Sequence, residues 1–398
     1  MTEVQSKARE VAQGILLTGV SILVGLVLLE VAVRIMEPKE VMRYFYSQDD
    51  PILHHRFKPN ASGWYKTNEF NTDYKINSLG LRDKEYSVKK PANTFRILML
   101  GDSFTEGDGV FSNETFAKRL EEKLKSIAGT TTFEVINAGV GSYSPLLEYL
   151  YLKNYGIQLE PDLVILNFDL SDVYDDLSYT ALAQFDEHGI PVAVRPEPEE
   201  HGLLKGPVAV VKDWLKNHTQ LYNFIRIRIA PQLELMKREK ENFNGDIRRD
   251  KYALLRETYV DNDSNWALSF KYILLTRDVA LQHGADFWLT VYPYGLQVHP
   301  KEWQAGRNYW QFKHDTVYST WPQEKVERWA TSQGIKVVNT CADFRERSKT
   351  TFPLYLDNNG HWVAAGHEVV ADALFNRLVP YMRERDVLSQ STASDHLK

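Results

Sequence analysis

The chain contains a single cysteine, Cys341, among its 398 residues. This excludes an internal disulfide framework and any metal site that needs several thiolates. The sequence also has no dense run of lysine and arginine, and its net charge at pH 7 is -6. Nucleic-acid binding needs clustered positive charge to neutralise phosphates, so we expect no nucleic-acid partner. His, Asp and Glu residues do not occur with the spacing of metal ligands, and we expect no metal ion and no other cofactor.

One long hydrophobic run is present, "GILLTGVSILVGLVLLEVAV" at residues 14–33, and Glu30 is its only charged residue. About 20 apolar residues cross the ~30 Å of a bilayer core. The run therefore predicts a transmembrane anchor over residues 14–36, which follows an N-terminal tail of residues 1–13. A cleaved signal peptide and a buried core helix fit less well, because the run is long for the first and apolar all round for the second. Basic residues flank both ends, so charge does not fix the orientation.

The residues after the anchor divide into two regions. Residues 37–93 include "EFNTDYKINSLGLRD", whose short alternations and Asn/Gly turns predict small strands in a connecting β region. From residue 94 to 380, apolar strands such as "FRILMLG", "FEVINAG" and "PDLVILNFD" alternate with helical stretches. This alternation predicts the α/β class, a doubly wound three-layer α/β/α sandwich with a parallel sheet of about five strands. We expect residues 381–398 to form a C-terminal tail.

A charge-dense segment, residues 176–265, interrupts the alternation and includes "RPEPEEHG" and "KREKENFNGDIRRDK". Charge runs are usually solvated, so we interpret most of it as an exposed insertion. Within the segment, "VVKDWLKNHTQLYNFIRIRI" has helical periodicity. It could pack over the domain as a lid or form a surface for a partner.

Small and polar residues follow the predicted strands at their carboxyl ends, where open α/β sheets bind ligands. Ser103 follows the first strand, "NAGVGSYS" the second and "NFDLSD" the third, while "LDNNGHWVAAGHE" brings Asp357, His361 and His367 before the last helix. A serine is a weak nucleophile until an imidazole removes its proton, and a carboxylate can orient that imidazole. Spacing alone leaves a second interpretation open, since a serine between a strand and a helix is often only a helix cap.

Four sequence blocks resemble the SGNH/GDSL hydrolase family. "GDSFTEG" is similar to the block that carries the nucleophile, and "NAGVGSYSP", "LVILNFDLSD" and "DNNGHWVAAGH" follow in the order of the later blocks. "INSLGLRD" and "LLEVAVRI" are similar to segments of the membrane-anchored subset. The resemblance spans residues 14–380 and implies a flavodoxin-like SGNH fold.

The resemblance also implies roles for individual residues. Ser103 would be the nucleophile and its N–H the first oxyanion donor, and His361 would be the general base. Ser142 stands where the family has a glycine that donates its N–H, and Ser171 stands where the family has an asparagine that completes the oxyanion hole. Asp102 and Asp172 would support these turns, and His367 is expected to be a structural, hydrogen-bonding histidine.

The acid of the site departs from the family pattern. The usual D-x-x-H spacing puts Asn358, not an aspartate, three residues before His361, and Asp357 is the nearest carboxylate. Either Asp357 reaches the imidazole and completes a triad, or the site works as a Ser-His dyad.

These residues predict a membrane-anchored serine esterase that acts on an acylated carbohydrate or another ester through an acyl-enzyme. Two alternatives stay open. One is an O-acetyltransferase of a cell-envelope or exported polysaccharide that works beside a membrane-bound acyl donor protein. The other is a catalytically decayed carbohydrate-binding or scaffold protein. The resemblance implies a single-pass membrane protein whose catalytic domain is periplasmic or extracellular.

Overall fold

A computed structural model describes residues 3–36, 46–196, 211, 214–215, 218–225, 246–248 and 250–388. The chain divides into two compact units. The first unit comprises Met1–Arg43 and Glu200–Lys237, and the second comprises Tyr44–Glu199 and Arg238–Lys398. Most of "RPEPEEHG" and of "KREKENFNGDIRRDK" lies outside the described residues, as does nearly half of the predicted helix at residues 210–229.

The first unit contains helix α1, Glu3–Met36, and the short helix α6, Gln220–Phe224. Within α1, Arg9–Met36 is long and apolar enough to cross a membrane by length and composition, a test that a signal sequence would also meet. Glu30 accepts hydrogen bonds from the Gln220 and Leu221 N–H groups at 2.9 and 2.8 Å. The one charge of the apolar run therefore caps the first turn of α6, where backbone N–H groups have no partner inside the helix.

The second unit is built on a five-stranded sheet in the order β11-β10-β7-β5-β6, in which all neighbouring strands are parallel. The strands are β5 (Thr94–Gly101), β6 (Thr132–Asn137), β7 (Leu163–Phe168), β10 (Asp286–Val291) and β11 (Lys336–Asn339). Every residue of β5 and β7 is buried, as expected for strands that helices cover on both faces. In order of sequence the strands run 2-1-3-4-5, which is the flavodoxin-like order. The predicted fold class is confirmed.

Helices flank this sheet on both faces. The longer ones are α3 (Phe116–Ile127), α4 (Pro145–Asn154), α5 (Asp172–Thr180), α7 (Asp263–Gln282), α10 (Trp321–Ser332), α11 (Cys341–Arg347) and α12 (Ala364–Glu384), and the shorter ones are α2 (Ser103–Glu106), α8 (Gly295–Val298) and α9 (Gln304–Tyr309). Helices α3 and α12 pack together, as do α4, α5 and α7. Right-handed crossovers place these two groups on opposite faces. Helix α12 continues past residue 380, the expected domain end, because Tyr381 and Met382 are buried.

Three antiparallel pairs complete the unit. They are β1 (Ser47–Asp50) with β2 (His54–Phe57), β3 (Ser62–Lys66) with β4 (Asn71–Lys75), and β8 (Ala183–Phe185) with β9 (Pro191–Val194). The first two pairs form the predicted strands of the β region, and residues 46–93 belong to the same compact unit as the sheet. In the sheet, β6 lies on one side of β5 and β7 lies on the other. The carboxyl end of β5 is therefore the topological switch point, where such sheets bind their ligands.

Candidate active site

The turn after β5 positions Ser103 as the first residue of α2. Asp102, not Ser103, is the N-cap of this helix, and its carboxylate accepts the Phe104 N–H at 2.9 Å. The turn is tight at Gly101, where a Cβ atom would lie 2.0 Å from Thr105 Oγ1. Glycine is required by that close approach. Because Asp102 supplies the cap, the hydroxyl of Ser103 is not needed for capping, which removes the second interpretation of this serine.

The structure brings the Ser103 hydroxyl and the His361 imidazole together. Ser103 Oγ lies 2.6 Å from His361 Nε2. The imidazole packs against the ring of Phe104, with a centroid separation of 4.6 Å, so the residue after Ser103 also helps to hold the histidine. The distance is within the range in which a general base can remove the proton of a serine.

The other ring nitrogen of His361 faces two groups that the sequence motifs did not indicate. Asn359 Oδ1 contacts His361 Nδ1, and Asp108 Oδ2 lies 3.8 Å from the same nitrogen. Asn359 Nδ2 donates to Asp108 Oδ2 at 3.4 Å. Asp108 is only five residues after Ser103, in "GDSFTEGDG", so its proximity in sequence to the nucleophile was the signal that could have found it.

Asp357 has a different place from the one we expected. Its carboxylate accepts the Ala305 N–H at 3.2 Å, and its backbone carbonyl accepts the Gly306 N–H at 3.0 Å. Both donors belong to the first turn of α9, whose N–H groups have no partner inside the helix. Of the two alternatives that the sequence leaves open, the structure does not place Asp357 against His361, because Asp357 caps α9 and the carboxylate 3.8 Å from the imidazole is that of Asp108.

The loop after β6 carries Ser142, one of the expected oxyanion donors. Ser142 is exposed, with a φ of +66°, a left-handed conformation that glycine adopts more easily than serine. This conformation agrees with the expectation that the position is normally glycine. The preceding Gly141 lies beside Ser103, because a Cβ atom on Gly141 would be 3.9 Å from Ser103 Cβ. The Gly141 N–H donates to Glu106 Oε2 at 2.8 Å, and its carbonyl is bound by His55 Nε2 at 2.8 Å.

Ser171 does not have the orientation that an oxyanion donor needs. Its hydroxyl donates to Asp169 Oδ2 at 2.7 Å, and the Tyr294 hydroxyl donates to the same oxygen at 2.8 Å. A serine hydroxyl has one proton to donate, so in this arrangement Ser171 has none for an oxyanion. Asp172 supports the turn, as its carboxylate accepts the Asp169 N–H at 2.9 Å.

The β region at residues 46–93 supports three loops of the site. The buried guanidinium of Arg82 donates to the carbonyls of Glu106, Gly107 and Val110 at 3.0, 2.7 and 2.6 Å. The carboxylate of Glu69 accepts the N–H groups of Asn358 and Asn359 at 2.8 and 2.9 Å, ahead of His361. His55 binds the Gly141 loop from the third side. Sequence reasoning treated this region as a connection and named none of these residues as functional.

His367 is buried, and its Nδ1 accepts the Phe116 N–H at 3.2 Å. Burial, with the positive charges of Arg119 and Arg82 nearby, holds the pKa of His367 well below its usual value. The histidine is therefore neutral at pH 7 and stabilises the start of α3, as expected for a structural residue.

A group of buried carboxyl side chains lies behind the nucleophile turn. Burial, followed by repulsion from neighbouring carboxylates, raises the pKa of Asp102, Glu148 and Asp172. Burial raises the pKa of Asp176 to about 7, although Ser144 Oγ and the Leu146 N–H donate to it at 2.7 and 3.0 Å. Among the described residues, no group of three or more His, Cys, Asp or Glu side chains is arranged to hold a metal ion. Burial therefore favours the protonated form of these carboxyl groups.

Asp176 makes a pH dependence of stability measurable. Its pKa is 3.8 in an ordinary environment and about 7 in the folded chain. Between these values the folded state binds the proton more tightly, so stability falls as pH rises from about 4 to 7. Asp176→Asn keeps the acceptor for Ser144 and Leu146 and cannot ionise. In the unchanged protein, the unfolding free energy measured by urea denaturation should fall between pH 5 and pH 8. In Asp176→Asn we expect this fall to be smaller by on the order of 2 kcal/mol.

The exposed Asp263 provides the matched control for this measurement. Asp263→Asn should leave the pH slope as it is in the unchanged protein. Equal slopes for Asp176→Asn and the unchanged protein would show that Asp176 ionises normally in the folded state.

The fold is the one that the SGNH/GDSL resemblance implies. A Ser-His pair at the switch point of a 2-1-3-4-5 parallel sheet, carried by blocks in the order quoted above, is the arrangement that the SGNH/GDSL resemblance predicts. No protein-family model matches the chain, and no curated protein matches it.

Solved structures show partial similarity. A two-domain esterase active on acetylated mannans is 14% identical over 75% of this chain and 50% of its own, with a TM-score of 0.37. The aligned part thus spans half of that esterase. An acetylxylan esterase from Geobacillus stearothermophilus is 15% identical over 73% of this chain and 93% of its own, with a TM-score of 0.35. A G-D-S-L family protein from Desulfitobacterium hafniense DCB-2 is 10% identical over 71% and 98%, also with a TM-score of 0.35.

Proposed function

We propose that the chain is a serine esterase that cleaves its substrate through an acyl-enzyme. The observation that carries this proposal is the 2.6 Å contact between Ser103 Oγ and His361 Nε2. His361 takes the proton of Ser103 while the serine oxygen attacks the ester carbonyl carbon. The tetrahedral intermediate then collapses, the C–O bond to the alcohol breaks, and His361 returns the proton to the leaving oxygen. Water repeats the sequence on the acyl-enzyme and releases the acid.

The oxyanion of the tetrahedral intermediate needs hydrogen-bond donors that are already in place. The backbone N–H groups of Ser103 and Ser142 are the proposed donors. Neither donates to another group in the part of the chain that the structure describes. Gly141 is held by Glu106 on one side and His55 on the other, so the loop that presents Ser142 is fixed before substrate binds.

The proposed substrate is an acylated carbohydrate or another ester, which is the class implied by the resemblance to anchored SGNH proteins. We propose that α1 anchors the protein and that the catalytic unit lies outside the cytoplasm. The apolar stretch Arg9–Met36 supports the anchor. Protease accessibility of the catalytic unit, measured in cells with an opened outer envelope, tests its side. A domain that stays shielded there would contradict the placement.

Labelling with a fluorophosphonate probe tests the catalytic proposal on the detergent-solubilised full chain. We expect labelling that is lost in Ser103→Ala and kept in Ser126→Ala, since Ser126 is exposed on α3. Hydrolysis of acetyl esters should follow the same pattern. A folded protein with no labelling and no turnover that depends on Ser103 would favour the binding or scaffold alternative.

The same preparation separates hydrolysis from acyl transfer. An acyl donor is supplied with and without an oligosaccharide acceptor, and acetate and acetylated oligosaccharide are both quantified. An esterase releases acetate at the same rate in both reactions. An acetyltransferase forms acetylated oligosaccharide at the expense of acetate, because the acceptor hydroxyl replaces water in the second step.

A further inference from the structure

We propose that Asp108 is the acid of this site and that it positions His361 through Asn359. The inference rests on the proposed function. It assigns the role that Asp357 was expected to fill to a residue of the nucleophile's own turn. Asp108 is a positioning residue, because it acts on the imidazole and not on the substrate.

The contacts around Nδ1 define the arrangement. A proton on His361 Nδ1 can be donated to Asn359 Oδ1, which leaves the lone pair of Nε2 directed at Ser103 Oγ. Asn359 Nδ2 in turn donates to Asp108 Oδ2, and that oxygen is itself 3.8 Å from Nδ1. The side chains therefore form a hydrogen-bonded chain that runs from Ser103 through His361 and Asn359 to Asp108. The amide fixes the tautomer, and the carboxylate supplies the negative charge that an amide lacks.

A negative charge at this distance matters when His361 becomes an imidazolium in the transition state. Two opposite charges ~4 Å apart attract each other, and they do so more strongly near a protein than in bulk water. The Asp108 carboxylate is largely buried, which limits screening. An asparagine alone could orient the ring but could not stabilise its charge.

The surroundings hold the Asp108 carboxylate in place. The Tyr74 hydroxyl donates to Asp108 Oδ1 at 3.4 Å, and the Arg82 guanidinium lies 3.9 Å from the centroid of the Tyr74 ring. Two other carboxyl groups face this region. Glu69 binds the backbone of Asn358 and Asn359, and the pKa of Glu106 is raised to about 8 by burial and by the charge of Asp108. Glu106 is therefore mostly protonated at pH 7.

Kinetics of Asp108→Asn on an acetyl ester test the inference. We expect kcat to fall by about 10- to 100-fold with KM within twofold, the usual range for a residue that orients a ligating or catalytic group. The acid limb of the kcat/KM profile should move to lower pH, because the imidazolium loses its charge partner. Asn359→Asp in the Asp108→Asn background places a carboxylate against Nδ1 and should restore most of kcat and the acid limb.

Asp278→Asn, a half-exposed aspartate on α7, is the matched control and should change neither quantity. Asn359→Leu removes the hydrogen-bonding link between His361 and Asp108 but leaves Asp108 unchanged. It is the substitute test if Asp108→Asn does not fold. It should lower kcat and move the acid limb in the same direction. Circular dichroism melts establish that each variant is folded at the assay temperature.

Three results would overturn the inference. The first is that Asp108→Asn keeps kcat within twofold and leaves the acid limb of the kcat/KM profile at the same pH. The second is the same outcome for Asn359→Leu. The third is that Asp357→Asn, and not Asp108→Asn, lowers kcat and moves the acid limb. That result would identify Asp357 as the acid. A wild-type chain without Ser103-dependent turnover would instead refute the proposed function, so the two failures are distinguishable.

Discussion

Replacing Ser103 or His361 by Ala is expected to lower kcat for ester hydrolysis by on the order of 10⁴-fold or more. The two side chains act as one unit, since Ser103 Oγ is nucleophilic only while His361 Nε2, 2.6 Å away, accepts its proton. Residual turnover would come from binding and from the N–H groups of the oxyanion loop. The measurement is steady-state hydrolysis of an acetyl ester by each purified variant.

The double variant is the sharper part of this experiment. Groups that act as a unit are non-additive, so Ser103→Ala with His361→Ala should be no slower than Ser103→Ala alone. Losses that multiply in the double variant would mean that Ser103 and His361 act independently, and the acyl-enzyme mechanism would then fail. Ser126→Ala again serves as the serine control.

The second large effect is expected at Arg82. Its guanidinium is buried and donates to three carbonyls of the turn that follows Ser103. Arg82→Met keeps most of the apolar volume but leaves these carbonyls without their donor and the negative groups nearby without a positive charge. Leaving a buried acceptor without its donor costs about 1 to 3 kcal/mol, so we expect a total loss of several kcal/mol for the three carbonyls. Urea denaturation should show this loss in the unfolding free energy.

Arg96→Met separates a general loss of stability from a local effect on the site. Arg96 is also fully buried and also binds carbonyls, those of Ser87, Val88 and Leu159, but it lies near the amino end of β5. Both variants should lose stability. Only Arg82→Met should also lower kcat at a temperature where both are folded. Equal kcat values in the two variants would show that Arg82 has no specific influence on the turn.

The fold was predictable because parallel strands and their helices leave strong local patterns. Strands such as "FRILMLG" are apolar throughout since both faces are covered, and they alternate with amphipathic helices such as α3, where Phe116, Leu120 and Leu124 are buried at helical spacing. The rule that ligands bind at the carboxyl ends of strands then selected Ser103, and the block before the last helix selected His361.

The acid of the site could not be read from the same patterns. Asp357 is close to His361 in sequence, but the first turn of α9 needs a cap and takes both its carboxylate and its carbonyl. Ser171 stands at the expected position, yet a buried carboxylate two residues earlier holds its hydroxyl. The partner of Asp357 is 52 residues away in sequence, and for Ser171 the side-chain rotamer decides which acceptor its hydroxyl reaches.

The β region escaped prediction for a related reason. Its short strands have no pattern that indicates catalysis, and the roles of Glu69, Arg82 and His55 depend on contacts with loops that lie up to 290 residues further along the chain. Only the folded chain brings those backbone groups within reach of these side chains.

In the sequence, the β region lies between the apolar helix and the first strand of the sheet. This order has a consequence for proteolytic cleavage. A cut between Met36 and Tyr46 would break the covalent link to α1 and leave every described support of the catalytic loops attached to them. The contacts of Glu30 and Arg34 with residues 218–221 would still hold the severed helix to that segment. A cut between β4 and β5 would instead detach Glu69 and His55 from the polypeptide that carries Ser103. A single cut before the β region would therefore release the catalytic unit from the covalent link to α1. A single cut within residues 76–93 would separate the chain that supports the catalytic loops from the chain that carries Ser103.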